Sequence, residues 1–191
     1  KPKNIIYGYN FILLDEKIKK FQRTRSSFQK VAVCLGGSDT YNLSQKIAEW
    51  CIKQNYITTV YLGPGVKKNK LLSLGLQSSN LYIKNNVKSL IEEFNLNDFA
   101  VTGGGIVAFE VAALGLPVFT IANETWEKKH CKFLERKKCS INIGTKDKIY
   151  LNKIKITNLM CEFSKNGVKN IPLNGLENIL NKLENLIDNL L

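Results

Sequence analysis

Short apolar runs alternate with amphipathic segments along most of the chain. Residues 30–35, 57–62, 81–83, 99–101, 117–121 and 140–144 have the length and β-branched content of buried strands. Segments between them, such as 43–53 and 87–94, repeat apolar residues at helical spacing. Because strands and helices alternate, we predict an α/β fold. Its sheet is expected to be Rossmann-like and mainly parallel, with helices on both faces.

Further helices are predicted over 67–74, from 127 to about 138, over most of 148–164, and over 176–191. The last of these carries an apolar stripe, which we expect to pack on the domain rather than to face a partner or a membrane. It comprises Ile179, Leu180, Leu183, Leu186, Ile187 and Leu190. Residues 1–27 differ from the rest, since an apolar run is followed by a charged one. We interpret them as a connecting segment that lies on a core formed by 28–191.

A glycine-rich turn lies at the centre of this pattern. The strand over 99–101 runs into Gly103-Gly104-Gly105, and an apolar helix with one charge, Glu110, follows. Such a turn exposes backbone N–H groups, and the helix N-terminus adds partial positive charge. We therefore predict a phosphate site, with Glu110 placed for ribose hydroxyls. The alternative is a tight turn that binds nothing, with Glu110 as a solvated edge residue.

Three other polar clusters follow predicted strands. The first is Gly36-Gly37-Ser38, after which Asp39 or Asn42 would cap the next helix. The second is the turn 84–86, where free backbone groups could bind a flat base. The third contains Asn123 and Glu124. Because the carboxyl ends of parallel strands share one sheet edge, we expect these clusters to form a single site.

Composition narrows the choice of function. The 191-residue chain has a net charge of +12 and a pI of about 9.5, but its basic residues are spread along it. The densest cluster, 127–138, alternates with acids like a solvated helix face, so we do not expect nucleic-acid binding. We interpret His130, within this cluster, as a surface residue and not as a catalytic base.

The cysteines and the hydropathy bear on metal binding, cellular compartment and membrane insertion. The five cysteines form no C-x-x-C pair, and His130 is the single histidine, so we expect free thiols in a reducing cytoplasm and no zinc site. No apolar run approaches the roughly 20 residues that span a bilayer. We therefore expect a cytoplasmic protein without a transmembrane segment.

Several motifs in this order resemble a known family. Gly36-Gly37-Ser38-Asp39, the turn 102–105, Glu110 and Gly115-Leu116-Pro117 resemble the C-terminal, nucleotide-binding domain of GT-B glycosyltransferases of the MurG type. Within that group the chain looks most like the PseG/SpsG family of UDP-sugar hydrolases. The resemblance implies that 1–27 is the interdomain crossover and that 28–191 is the C-terminal domain. It also implies that the N-terminal domain is absent from this chain.

The same resemblance assigns roles to residues. The diphosphate would bind at two clusters, Gly36, Gly37 and Ser38 on one side and Gly104, Gly105 and Ile106 on the other. Glu110 would bind the ribose hydroxyls, and the backbone at Ile83 and Lys84 would bind uracil. Asn123 and Glu124, with Trp126 nearby, would face the sugar. Neither a metal nor a cofactor is implied.

The resemblance also implies an activity in biosynthesis of bacterial cell-surface polysaccharide. The chain would bind the UDP part of a nucleotide sugar, as half of a hydrolase that releases UDP from a deoxy amino sugar. The catalytic base is expected on the missing domain, and Asn123 and Glu124 are the candidates within this chain. The alternatives are half of a MurG-like glycosyltransferase or of a UDP-sugar 2-epimerase, and a nucleotide-binding module without catalysis.

Overall fold

A computed structural model describes residues 5–66 and 78–188. Seven strands in these ranges form one sheet with the order β3-β2-β1-β4-β5-β6-β7, parallel except for β7. The strands are β1 Lys30–Cys34, β2 Ile57–Leu62, β3 Leu81–Asn85, β4 Phe99–Gly103, β5 Val118–Ala122, β6 Ser140–Thr145 and β7 Lys148–Ile149.

The helices of the described ranges are α1 Ile18–Phe21, α2 Leu43–Lys53, α3 Leu90–Asn95, α4 Ile106–Ala113, α5 Glu127–Arg136, α6 Leu159–Asn170 and α7 Gly175–Asp188. Short 3-10 helices cover Tyr9–Phe11 and Leu151–Lys153. The helix predicted over 67–74 lies outside the described residues.

The sheet separates two apolar cores, one on each face. Alternate residues of β1 supply both, since Val31 and Val33 face one core and Ala32 and Cys34 face the other. Every residue of β4 and β5 is buried, as expected for central parallel strands covered on both sides. The predicted Rossmann-like α/β fold, with a mainly parallel sheet and helices on both faces, is therefore confirmed.

Two predicted helices have different boundaries in the structure. Residues 148–164 are not mostly helical, because β7 folds back on β6, pairing Ile149 with Gly144. Helix α6 begins only at Leu159 and continues beyond the predicted end, to Asn170. Helix α3 begins at Leu90 because the Ser89 hydroxyl accepts a hydrogen bond from the third N–H of the following turn.

The first described residues lie against α4 and α5. The Tyr9 ring stacks on Phe133, with 3.7 Å between ring centroids, and on Phe109 at 5.7 Å. Further along, Ile18 is fully buried, and Gln22 Nε2 donates to the Ala113 carbonyl at the end of α4. The segment therefore packs on the domain core, as the sequence suggested.

The apolar stripe of α7 does not pack as predicted. Of its members, Leu180, Leu183, Leu186 and Ile187 are between 44% and 56% exposed, and Ile179 is half-buried. Leu176, on the same helix but outside the stripe, is 53% exposed. The helix instead contacts the domain at its first residue, where Gly175 approaches a backbone carbonyl of the N-terminal segment, and at Asn178. The predicted packing face is thus an exposed apolar face of the described structure, and Leu190 lies outside it.

Candidate functional site

The two glycine-rich turns leave the same edge of the sheet. Strands β1 and β4 are direct neighbours, and Cys34 at the end of β1 pairs with Thr102 near the end of β4. Gly36 and Gly37 have open space where a side chain would stand. The loop after β2 also reaches this edge, since Gly65 N–H donates to the Gly37 carbonyl. The ends of β1, β2 and β4 thus lie at one edge of the sheet, and the expectation that all the polar clusters form a single site stays a prediction.

Of the two helices that follow these turns, only α4 has an N-terminus without a side-chain cap. The Asp39 carboxylate accepts hydrogen bonds from Leu43 N–H at 2.9 Å and from Ser44 N–H at 3.0 Å, and so caps α2. Helix α4 begins after Gly105 with no capping side chain and no acidic residue in its first turn. An anion would therefore find free donors and a favourable dipole at α4, where α2 already carries a carboxylate.

The tight turn before α4 depends on Gly104. A Cβ atom there would lie 2.8 Å from Cys131 Sγ and 2.8 Å from Glu127 Cβ, because α5 packs directly on the turn. At Gly105 the nearest atom would be Glu127 Oε1 at 3.6 Å, which is an ordinary contact. The three glycines are therefore not equivalent, and Gly104 is the one whose backbone touches α5.

Glu110 is half-buried on α4. Burial raises the pKa of its carboxyl group, and the charge of Asp15 adds to the shift. The charge of Glu110 also contributes, after burial, to raising the pKa of the Cys34 thiol at the end of β1. Glu110 is thus not the solvated edge residue of the alternative interpretation.

Asn123 and Glu124 lie in a loop that Glu127 holds. Glu127 is only 6% exposed, and its Oε2 accepts hydrogen bonds from Asn123 N–H at 2.6 Å and Glu124 N–H at 3.2 Å. Glu124 Oε1 accepts a hydrogen bond from the Tyr41 hydroxyl at 3.1 Å, and Lys146 Nζ donates to the same hydroxyl at 2.8 Å. These contacts join the loop after β5 to the turn after β1.

A small polar cavity of about 180 Å³ lies between these two loops. Its lining includes five of the predicted site residues, namely Gly36, Gly37, Ser38, Asn123 and Glu124. Asp39 and Glu127 also line it, so carboxylates surround much of its wall. Because these carboxylates would repel a phosphate inside the cavity, its interior suits hydroxyl groups, whereas a diphosphate fits better outside it, between the α4 N-terminus and the open backbone of Gly36 and Gly37.

A larger cavity of about 720 Å³ adjoins the start of α4. Its lining is mostly aromatic and aliphatic: Ile6, Tyr7, Gly8, Tyr9, Phe11, Ile12, Ile106, Phe109, Trp126 and His130. Ile106, which the sequence analysis assigned to the diphosphate, is 46% exposed here, and Trp126 is 56% exposed. An apolar surface thus lies directly beside the predicted phosphate site.

His130 is not the surface residue that the sequence analysis took it for. Its Nδ1 lies 2.9 Å from the Gly104 carbonyl oxygen, and its ring is half-buried in the wall of the aromatic cavity. Counting along α5 explains the difference. Glu127, His130, Cys131 and Leu134 follow helical spacing on the side facing the glycine turn, while the lysines between them face solvent.

Ile83 and Lys84 lie apart from the glycine turns. Both are inside β3, which ends only at Asn85, so Lys84 is not the strand-end residue that the sequence suggested. Lys84 Nζ forms an ion pair with Glu93 at 2.6 Å. Because β3 is three positions from β4, these residues are roughly 14 Å from it at the usual strand spacing. Their assignment to uracil stays a prediction that rests on backbone groups alone.

Sequence reasoning missed three residues that organise this edge: Tyr41, Glu127 and His130. A signal existed for Glu127, because a glutamate three residues after a polar loop residue is typical of a helix start. No comparable signal marked Tyr41, whose role depends on a contact between distant loops. Within 5–66 and 78–188, no three potential ligands cluster as a metal site, and no helix is long and apolar enough to cross a membrane.

Comparison with known proteins adds a likeness of fold. No protein-family model matches the chain. An uncharacterized protein of Methanocaldococcus jannaschii, MJ1062, is 29% identical over 143 residues, which cover 68% of this chain and 30% of that protein.

Two solved structures show the architecture more fully. MurG of Acinetobacter baumannii matches with a TM-score of 0.68 and 11% identity, over 96% of this chain and 58% of that one. The glycosyltransferase SsfS6 of Streptomyces sp. SF2575, solved in complex with thymidine diphosphate, matches with a TM-score of 0.57 and 10% identity, over 88% and 45%. The chain spans less than a third of the archaeal relative and about half of each glycosyltransferase. It has the fold of one domain of a GT-B glycosyltransferase.

Proposed function

We propose that this chain is the nucleotide-sugar-binding half of a glycosyltransferase. It binds a nucleoside diphosphate, expected to be UDP, at the edge of the sheet where its parallel strands end. The observation that carries the proposal is the uncapped N-terminus of α4 beside the open backbone of Gly36 and Gly37. The diphosphate spans these two turns, with its charge at Gly104, Gly105 and Ile106.

This arrangement suits a departing diphosphate. When a glycosidic bond to UDP breaks, negative charge develops on the leaving phosphate. Fixed N–H groups and a helix dipole oppose that charge without reorganising, and a single donor of this kind contributes about 3 kcal/mol in other enzymes. The net charge of +12 also draws an anionic substrate to the protein.

Each remaining part of the nucleotide sugar has a position in this proposal. Glu110, behind the first turn of α4, accepts hydrogen bonds from the ribose hydroxyls. Asn123 and Glu124, on the wall of the small polar cavity, bind hydroxyls of the sugar. The Glu124 carboxylate already accepts the Tyr41 hydroxyl, so the loop is held in place before the ligand arrives.

Transfer is better supported than hydrolysis. The sequence resemblance pointed first to UDP-sugar hydrolases, whereas the structural neighbours are glycosyltransferases, one of them solved with thymidine diphosphate. The two reactions use the same leaving group and differ in whether water or an acceptor hydroxyl attacks. Product analysis on the longer protein separates them, because hydrolysis in ¹⁸O-labelled water places the label in the free sugar.

A second domain of the same protein completes the site in this proposal. It supplies the acceptor-binding surface and the base that removes a proton from the attacking hydroxyl. Two features of the chain support it. Helix α7 leaves five large apolar side chains about half exposed, four of them in the stripe, and the aromatic cavity is open beside Ile106. Exposed apolar surface of this extent is typical of an interface.

Isothermal titration calorimetry on the chain tests the binding step. We expect UDP and thymidine diphosphate to bind, uridine and inorganic pyrophosphate to bind much more weakly, and ADP to bind less well than UDP. Single-stranded RNA serves as the control for general attraction to the basic surface, with affinity that falls steeply as salt rises. No heat with any nucleoside diphosphate, or binding to RNA alone, would contradict the proposal.

A further inference from the structure

His130 stands in direct contact with the glycine turn, although the proposed binding of UDP does not use it. Its Nδ1 lies 2.9 Å from the Gly104 carbonyl oxygen. A carbonyl oxygen only accepts hydrogen bonds, so Nδ1 carries the proton and donates. This holds for the neutral ring, whose Nε2 is then the basic nitrogen, and for the doubly protonated ring.

The orientation of the ring is fixed by its neighbours. Tyr9, Phe109 and Trp126 surround it in edge-to-face contacts, with ring centroids 5.9, 5.5 and 5.3 Å from that of His130. Aromatic pairs favour this geometry. These contacts fix the position and plane of the imidazole, and the hydrogen bond to the Gly104 carbonyl selects the ring flip that turns Nδ1 toward it, so the donor is held in place before any ligand binds.

The hydrogen bond from His130 to the Gly104 carbonyl also fixes the direction of the next N–H group, that of Gly105. The Gly104 oxygen and the Gly105 N–H belong to one planar trans peptide, in which C=O and N–H point in opposite directions. A bond that fixes the oxygen toward α5 therefore directs the Gly105 N–H away from α5. Glycine on both sides of this peptide leaves it little other restraint against rotation.

The Gly105 N–H is available to a ligand. Among the backbone hydrogen bonds of the described residues, neither Gly104 N–H nor Gly105 N–H has an acceptor. In the first turn of α4, Ile106 N–H and Val107 N–H likewise have no acceptor among the described residues, whereas Ala108 N–H donates to the Gly105 carbonyl at 3.2 Å. His130 thus orients the Gly105 N–H, which is one of the donors that bind the diphosphate in the proposed function.

The geometry points to His130 as a positioning residue that locks the Gly104–Gly105 peptide in its anion-binding orientation. This inference rests on the proposed function, since it concerns the diphosphate site of that proposal. His130 does not touch the ligand and transfers no proton in this role. It stabilises one of two peptide orientations, and the ligand binds to that orientation.

Two substitutions separate the hydrogen bond from the packing of the ring. His130→Phe keeps an aromatic ring for Tyr9, Phe109 and Trp126 but has no donor. His130→Asn loses the ring but offers an amide N–H near the position of Nδ1. A purely structural role predicts that Asn is the worse replacement, whereas a positioning role predicts that Phe is.

The test is UDP affinity by calorimetry for the wild type and both variants, with thermal unfolding as the measure of structural damage. We expect His130→Phe to weaken UDP binding by about tenfold, because the Gly105 N–H would no longer be held toward the diphosphate and one hydrogen bond to a charged group would be lost. We expect His130→Asn to stay within about threefold of the wild type, whatever its loss of thermal stability. The Gly105 amide resonance should shift on UDP addition in the wild type and in His130→Asn, and much less in His130→Phe.

Different negative results would contradict the positioning role of His130 and the proposed function. If His130→Phe binds UDP as tightly as the wild type, or if the Asn variant loses as much affinity as the Phe variant, the positioning role is wrong. If the wild type itself does not bind UDP, the proposed function fails and this inference fails with it. Unchanged affinity combined with turnover lost in both variants of the longer protein would also overturn the positioning role, in favour of a direct catalytic one.

Discussion

Glu127 Oε2 accepts a hydrogen bond from the Asn123 backbone N–H at 2.6 Å. The contact joins the first turn of α5 to the loop after β5, and the same oxygen accepts Glu124 N–H at 3.2 Å. The carboxylate is 6% exposed, so few waters could replace these donors. One glutamate therefore holds the loop that carries both residues predicted to face the sugar.

Replacing Glu127 should destabilise the loop. We expect Glu127→Gln to lower the free energy of unfolding by about 1–2 kcal/mol, because a neutral amide oxygen accepts weaker hydrogen bonds than a carboxylate. Urea denaturation measures the change. Glu124→Gln is the matched control, since Glu124 is exposed, and it should stay within about 0.5 kcal/mol of the wild type. Equal effects of the two substitutions would show that Glu127 does not hold the loop.

The glycines of the α4 turn should respond unequally to alanine. Gly104→Ala places a methyl group 2.8 Å from Cys131 Sγ and from Glu127 Cβ, and we expect it to lower the free energy of unfolding by about 2–3 kcal/mol. Gly105→Ala meets only an ordinary contact at 3.6 Å and should change stability by less than about 1 kcal/mol.

The same pair separates folding from binding. If the diphosphate approaches the backbone at Gly105, the tolerated Gly105→Ala substitution should still weaken UDP binding, by about tenfold. Chemical denaturation and calorimetry together check both expectations. A Gly105→Ala protein that folds normally and binds UDP like the wild type would place the ligand elsewhere.

Glu110 should show opposite effects on stability and on binding. Burial raises the pKa of its carboxyl group in the folded protein, so the charged form is disfavoured there. The folded state therefore holds the proton more tightly than the unfolded state, and stability falls as pH rises through the folded pKa. Glu110→Gln removes this cost, so we expect the variant to unfold at a higher temperature than the wild type at pH 7.

At a pH below the usual range of carboxyl groups, the two proteins should have nearly equal stability, because Glu110 is then protonated in both states. UDP affinity should fall about tenfold in Glu110→Gln if the carboxylate accepts ribose hydroxyls. Glu177→Gln on exposed α7 is the control for both measurements. A variant that is destabilised at pH 7 would contradict the assigned cause of the pKa shift.

Arg25 should be sensitive to a change that keeps its charge. It is 3% exposed, its Nη1 donates to the carbonyls of Leu114 and Arg23 at 2.6 Å, and its Nη2 donates to Asn95 Oδ1 at 3.2 Å. Burial lowers the pKa of the guanidinium to about 10. Lysine cannot supply this planar fork, so we expect Arg25→Lys to lower the free energy of unfolding by about 2 kcal/mol.

Denaturant unfolding checks this expectation, with Arg23→Lys as the control. Arg23 is more exposed, and its side chain reaches only Asn95 in the described structure. Arg23→Lys should therefore lower the free energy of unfolding by less than Arg25→Lys does. The reverse order would show that the buried guanidinium does not hold the end of α4.

Local pattern was enough to predict the six parallel strands and the edge at which the glycine-rich turns lie, but not β7, which falls in a segment predicted to be helical. Strands β4 and β5 are continuous apolar runs, so their burial on both faces could be predicted from the sequence. Asp39 could be named as a helix cap, one of two candidates, because capping depends on residues close in sequence. Asn42 was the other candidate and makes no capping hydrogen bond.

Contacts between distant elements were not predictable in this way. His130 is half-buried because α5 packs on a turn more than twenty residues earlier, and its charged neighbours in sequence disguised the buried face. The prediction that the stripe on α7 packs on the domain was wrong for the opposite reason, since helical spacing identifies an apolar face without showing what covers it. Tyr41 and Glu124 are 83 positions apart, and no local pattern predicts their hydrogen bond.

An NMR titration of the ¹⁵N-labelled chain with UDP tests the central claim most directly. We predict saturable shifts that are largest for the backbone amides of Gly36, Gly37, Gly104, Gly105 and Ile106, which belong to the two glycine-rich turns and the start of α4. Saturable shifts confined to other parts of the chain, such as exposed α7, or no saturable shift at all, would contradict a nucleoside diphosphate site at the carboxyl edge of the sheet.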